Sequence, residues 1–249
     1  KRVTGVTLCL QSGEGAAIED IPCDAVAMSG GWSPVVHLWS HCGGKLNWGD
    51  TIAAFTPDPA RPTVNHDGSA MVSVVGAAAG TFDLGAILTG AGAAGGGKKA
   101  KRQDDAARTD GIEPVWVMPQ GATLKARQKM WLDYQNDVKV SDVQLAAREG
   151  YESVEHTKRY TTLGMATDQG KLSNINGLAV LSQALNAEIP SVGTTTFRPP
   201  YTPVTLGTLA GEARGDIFQP LRKTPIHEWH VKSGAYFEPV GLWRRPYTF

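Results

Sequence analysis

The chain has 249 residues, with 24 basic and 24 acidic side chains, and 41% of its residues are hydrophobic. That length suits one large domain or two to three small ones, each with its own core. The zero net charge argues against nucleic acid as a main partner, because neutralising phosphates needs a basic excess on at least one face. Only the run Lys98-Lys-Ala-Lys-Arg102 is locally basic. No apolar run approaches the roughly 20 residues of a spanning helix, and no basic-then-apolar leader opens the chain, so no membrane partner and a cytoplasmic location are expected. Cys9, Cys23 and Cys42 are an odd number without CxxC spacing and are read as buried thiols.

In chain order, Val6, Leu8 and Leu10 alternate as on a half-buried strand. The turn Gly13-Glu-Gly15 then predicts a hairpin with residues 18–21. The apolar run 24–28 reads as a strand ended by Ser29-Gly-Gly-Trp-Ser-Pro34, and residues 71–75 as another that feeds Gly76-Ala-Ala-Ala-Gly80 and a helix from near Phe82. Strand, glycine turn and helix in this order suggest an α/β unit. Residues 90–97 are almost all Gly and Ala and run into the basic stretch, which is linker chemistry.

Beyond the linker the pattern is helical. Ser141 is expected to cap a helix ending before Gly150, and Ser153 a second reaching about Tyr160. A third, from about Asn174, sets Ile175, Leu178, Ala179, Ser182 and Leu185 on one stripe. After Pro190 the prolines multiply and few periodic segments remain, which predicts a connector or an incomplete further domain. The fold class expected is therefore α/β plus α, divided at 1–97, 98–112, 113–190 and 191–249.

Three segments invite chemistry. In Val74-Val-Gly-Ala-Ala-Ala-Gly-Thr81 a strand end meets a helix N-terminus, where backbone N–H groups can face an anion; the plain alternative is close packing of helix on strand. No GxGxxG accompanies it, so at most the closing part of a dinucleotide site is present. Gly164-Met-Ala-Thr-Asp-Gln-Gly-Lys171 imitates a phosphate-binding loop, but five residues separate its glycines and Leu172 stands where a magnesium-binding hydroxyl is needed. A looser phosphate site of Thr167 and Lys171 with Lys158 and Arg159 survives, against the alternative of a solvated helix face. His227 and His230 are three apart rather than the four of HExxH, which favours structural histidines. No nucleophile motif appears.

Cys23-Asp-Ala-Val-Ala-Met-Ser-Gly-Gly-Trp-Ser-Pro-Val-Val-His-Leu-Trp39 and Gly76-Ala-Ala-Ala-Gly-Thr-Phe-Asp-Leu84 resemble the end of the nucleotide-binding domain of sarcosine oxidase alpha subunits. Tyr134-Gln-Asn-Asp-Val138, Glu155-His-Thr-Lys-Arg-Tyr-Thr-Thr-Leu-Gly-Met-Ala-Thr-Asp-Gln-Gly-Lys171 and Gly193-Thr-Thr-Thr-Phe-Arg-Pro-Pro-Tyr-Thr-Pro203 resemble that family's longer signature, so the likeness covers nearly the whole chain. The resemblance implies an internal fragment: the C-terminal part of an NAD-binding domain (1–97), a linker (98–112), a small helical domain (113–190), and a connector with the start of a folate-binding, aminomethyltransferase-like domain (191–249).

It also implies a flavoprotein complex of alpha, beta, gamma and delta subunits. That complex oxidises sarcosine at FAD in the beta subunit, passes electrons to FMN at the alpha/beta interface and then to oxygen, and hands the one-carbon unit to tetrahydrofolate. This chain would hold no catalytic residue and would be inactive alone. The matching positions for NAD are Ala79, Leu84 and Ala86, with Thr81 as an alternative helix cap. For the FMN phosphate they are Lys158, Arg159, Thr161, Thr162 and Lys171.

The helical domain further resembles small [2Fe–2S] domains. Asp133, Gln135 and Asp168 stand where thiolates would lie, so no cluster and no metal are expected. The alternatives weighed are an alpha subunit of a related opine, proline or glycine-oxidising complex, a non-catalytic interaction module, and a folate-dependent aminomethyl carrier enzyme.

Overall fold

A computed structural model describes residues 2–97, 111–215, 217 and 220–249. The expected linker 98–112 and its basic run fall largely outside them. The chain forms two compact units, Lys1–Thr202 and Pro203–Phe249. Its strands, among the described residues, make four separate two-stranded antiparallel sheets.

In the first unit, β1 (Gly5–Cys9) pairs with β2 (Ala17–Pro22) around the expected glycine turn, with Gly13 and Gly15 at positive φ. The hairpin tip is stitched to a later segment, since Gln120 N–H donates to Gln11 O and Gly121 N–H to Gly13 O. Its alternation does not bury an apolar face as expected: Leu8 and Ile18 are both exposed. Residues 24–28 and 71–75, expected as strands, lie outside every strand and have no ladder partner. Apolar runs of this length favour extended backbone, but a strand exists only where a neighbour supplies hydrogen bonds.

The short α1 (His37–His41) follows, and then a hairpin without a period-2 signal, β3 (Leu46–Gly49) with β4 (Ala54–Pro57), closed by edge-on contact of Trp48 and Phe55 at 5.0 Å. A 3₁₀ turn, Gly76–Ala79, leads to α2 (Leu84–Ala94). Asp83, not Thr81, caps α2, its carboxylate accepting the Ala86 N–H at 2.7 Å.

After α3 (Leu124–Arg127), capped by Thr123, come β5 (Trp131–Asp133) and β6 (Val138–Lys139) and the three expected helices: α4 (Val140–Arg148), α5 (Val154–Thr161) and α6 (Asn174–Leu185). Ser141 lies inside α4 rather than capping it. The Asp142 carboxylate reaches back to the Lys139 N–H instead, at 2.9 Å. Ser153 takes the N-cap position of α5 without a side-chain bond. Helix α6 is buried on more than the expected stripe, with Val180 and Leu181 buried as well as Leu178 and Ala179. It is the central helix, and α4 and α5 pack on it.

Phe55 shares one core with Val143, Leu163, Leu178 and Leu181, and Leu46 and Trp48 pack against it. The segments on either side of the expected linker therefore build a single core. Residues 191–202, expected with the C-terminal part, also belong to this unit, with Val192 and Thr195 buried.

The second unit holds α7 (Leu206–Ala210), capped by Thr205, α8 (His227–Lys232), and the hairpin of β7 (Tyr236–Val240) with β8 (Trp243–Thr248). Pro239 and Pro246 lie inside these strands, which is why the sequence reads as irregular there. A two-stranded ribbon tolerates proline because each strand has one unpaired edge.

Candidate anion-binding site

Helix α5 carries Glu155, Lys158 and Arg159 within about one turn, so the three project toward a common side. They line a cavity of about 130 Å³, with the Gly164 and Gln169 loop on one wall and Thr196, Arg198 and Tyr201 on another. Glu155 bridges the walls: one oxygen receives Arg159 at 3.2 Å and the other accepts the Thr196 N–H at 2.6 Å. Among the described residues Lys158 and Arg198 have no hydrogen-bond or ion-pair partner. Burial pushes the Lys158 ammonium below its ordinary range. Glu155 opposes that shift, and the charges of Arg198 and Arg159 add to it. A cavity lined by three cations and one carboxylate is suited to an anion with more than one charge.

The other expected phosphate residues lie elsewhere. Thr161 and Thr162 finish α5: the Thr161 hydroxyl donates to Thr157 O at 2.7 Å and accepts the Leu163 N–H, and Thr162, at φ +64°, donates to Thr161 O at 2.6 Å. The Lys171 ammonium donates to Tyr201 O at 2.8 Å and sits 3.9 Å from the centre of the Tyr201 ring. It borders a smaller neighbouring cavity, not the one lined by Lys158 and Arg159.

Most amides of the loop of residues 164–171 are used within the chain: side chains take those of Gly164, Thr167 and Gly170, and backbone carbonyls those of Met165, Gln169 and Lys171. Asp133, only 4% exposed, accepts the N–H groups of Gln135, Asn136 and Gly164 at 2.9–3.0 Å. Gln135 accepts from the Thr167 N–H and hydroxyl, and Asp168 from the Gly170 N–H. Of the three positions expected in place of cluster thiolates, Asp133 and Gln135 thus tie the two loops together by hydrogen bonds, and Asp168 braces its own loop. Among the described residues no three His, Cys, Asp or Glu side chains converge as metal ligands.

Ala79 ends the 3₁₀ turn, and Leu84 and Ala86 begin α2 with their side chains exposed. The Ala86 amide is already used by Asp83. In the second unit His227 and His230 are buried on α8, against Phe237 at 4.7 Å and Phe249 at 5.7 Å between ring centres. Arg198 and Tyr201 escaped the sequence reading because they sit in a proline-rich stretch some forty residues from Lys158. The signal that pointed to them was the resemblance of the block containing both, Gly193-Thr-Thr-Thr-Phe-Arg-Pro-Pro-Tyr.

The helical core and the cavity-bearing segments fall in a recognised class, since residues 127–212 match the family described as the sarcosine oxidase A3 domain. Among solved structures, L-proline dehydrogenase from P. horikoshii shares the fold with a TM-score of 0.55 at 18% identity, over 77% of this chain and 40% of that one. Sarcosine oxidase subunit alpha of Rhizobium meliloti (strain 1021) is 42% identical over 94% of this chain. Those of Corynebacterium sp. strains P-1 and U-96 are 41% and 42% identical over 91%. Over its length the chain is thus similar to sarcosine oxidase alpha subunits, and it spans 24% of the length of each of these relatives. Among the described residues no helix is long and apolar enough to cross a membrane.

Proposed function

We propose that this chain is part of the alpha subunit of sarcosine oxidase. That complex demethylates sarcosine oxidatively to glycine, with oxygen as acceptor and transfer of the one-carbon unit to tetrahydrofolate. In this reading the chain contributes the surroundings of an interface flavin and one side of an NAD site, and the amine is oxidised elsewhere, at FAD in the beta subunit. Its partners are the beta, gamma and delta subunits. The observation that carries the reading is the cavity of Lys158, Arg159 and Arg198 in a chain 41–42% identical to sarcosine oxidase alpha subunits.

The residues present fit the phosphate of FMN. Three cations face a space of about 130 Å³, enough for a phosphate group while the ring lies outside, against a partner surface. Bound there, the flavin would supply electron transfer between the amine-oxidation site and oxygen. For NAD, exposed Leu84 and Ala86 with Ala79 offer an apolar surface at the start of α2, while the pyrophosphate must be gripped by other residues because the Ala86 N–H is taken.

Calorimetric titration with FMN and NAD separately, with and without the beta subunit, tests this. Flavin held only by the chain together with the beta subunit, and lost on Lys158→Gln with Arg159→Gln, is the expected result. A complex that holds FMN equally well without these two cations contradicts it.

A further inference from the structure

We propose that residues 194–201 form a strap that delivers Arg198 into the anion site, and that Lys171 grips this strap as a positioning residue instead of touching the anion. The ligand's identity rests on the flavin-phosphate reading above.

The strap is tied at three points to three different elements. Glu155 on α5 accepts the Thr196 N–H at 2.6 Å. His41 at the end of α1 places Nε2 2.8 Å from Phe197 O. Lys171, ahead of α6, donates to Tyr201 O at 2.8 Å and lies 3.9 Å from its ring centre, and the His37 ring also packs on that ring, 4.3 Å away between centres. Arg198 sits between the second and third ties, followed by Pro199 and Pro200, whose rings restrict φ. A segment pinned at both ends and stiffened in the middle has little freedom to carry its side chain away from the cavity. The lowered Lys158 value, to which Arg198 contributes by its charge, agrees with a guanidinium facing the same space.

The charge balance names the ligand class. Glu155 is paired with Arg159, which leaves the equivalent of two positive charges, on Lys158 and Arg198, facing the cavity. A phosphate monoester, at about −1.5 to −2 near neutral pH, complements them. A free phosphate has the same chemistry, so the probes must separate the two sources.

The experiment titrates FMN, riboflavin and inorganic phosphate by calorimetry into the flavin-free complex of the full chain with the beta subunit. Arg198→Gln is expected to weaken FMN on the order of tenfold, the scale of one charge-assisted hydrogen bond, and to leave riboflavin unchanged. Lys171→Gln is expected to weaken FMN similarly and to speed hydrogen exchange at Thr196, while Lys171→Arg restores both. Because Lys171 acts through Arg198, the double variant should lose no more than Arg198→Gln alone.

Additive losses would mean that Lys171 meets the anion directly and would overturn its positioning role. FMN bound tightly by the wild type and equally by Arg198→Gln overturns the strap's role while leaving the flavin reading intact. Equal affinity for FMN and riboflavin, or binding of inorganic phosphate as tight as that of FMN, overturns recognition of a flavin's phosphate. No FMN binding to the wild-type complex overturns the flavin reading and the anion role of Arg198 together.

Discussion

The carboxylate of Asp133 accepts the amide of Gly164 at 2.9 Å, joining the end of β5 to the loop after α5 across 31 positions of chain, and its other oxygen accepts the amides of Gln135 and Asn136. A buried acceptor with three donors holds more than a single bond, since each amide left alone in the interior costs about 1–3 kcal/mol. Asp133→Ala is expected to destabilise the first unit by about 3 kcal/mol or more, and Asp133→Asn, which keeps an acceptor, by about half as much. Urea unfolding of the two variants checks this. Equal losses would show that the acceptor is not what matters.

Gly170 and Gly150 both have positive φ, yet their surroundings differ. A Cβ at Gly170 would overlap the Asn174 carboxamide at the start of α6, whereas nothing lies near a Cβ at Gly150. Gly150→Ala should cost only the backbone strain, about 1 kcal/mol, and Gly170→Ala distinctly more, about 2–3 kcal/mol. Thermal melts of the pair measure the difference, and equal shifts would contradict the crowding.

Phe55 and Leu181 come from opposite sides of the linker-like stretch and lie in one core. Leu181→Ala is expected to cost about 2–5 kcal/mol and Phe55→Ala about 3–5 kcal/mol, both in the same cooperative transition followed by tryptophan fluorescence and helical circular dichroism. Leu172→Ala, at a side chain 73% exposed, should stay within about 0.5 kcal/mol. Two separate transitions, each sensitive to only one of the core substitutions, would divide the unit where the glycine-rich run suggests.

His37 is held below the ordinary imidazole range, first by burial and then by the positive charges of His41 and Lys171. Its folded value is thus lower than its unfolded one, so the unfolded state binds more protons in the interval between them. The contribution is whole above the ordinary value of about 6.5 and is lost as pH falls through that interval. The urea midpoint is expected to drop as pH falls below the ordinary imidazole value of about 6.5, less so in His37→Gln. An unchanged slope in the variant would assign the acid sensitivity to other groups.

Helices α4, α5 and α6 were legible in the amino-acid order because their periodicity, glycine stops and polar starts are signals that act within a turn or two of chain. The β1–β2 hairpin was legible for the same reason, through its glycine turn. Lys158 and Arg159 could be singled out together because adjacent residues on one helix share a neighbourhood whatever the rest of the chain does. The identity of the Asp142 and Asp83 caps was less plain, since several polar residues near each helix start compete and backbone dihedrals choose among them.

Other features depended on partners far along the chain. Residues 24–28 and 71–75 have strand-like composition but no neighbour to complete a ladder. Pro239 and Pro246 mask strands that a hairpin partner sustains. Arg198 joins Lys158 in one cavity, and Lys171 turns from it to Tyr201, only because His41, Glu155 and Lys171 pin residues 194–201 against the helices. By itself, then, the sequence determined the helical segments, the balanced charge and the pair of cations on α5. The tertiary structure alone decided which cations meet and which loop amides are spent, because a hydrogen bond across thirty or forty residues exists only once packing has brought both ends together.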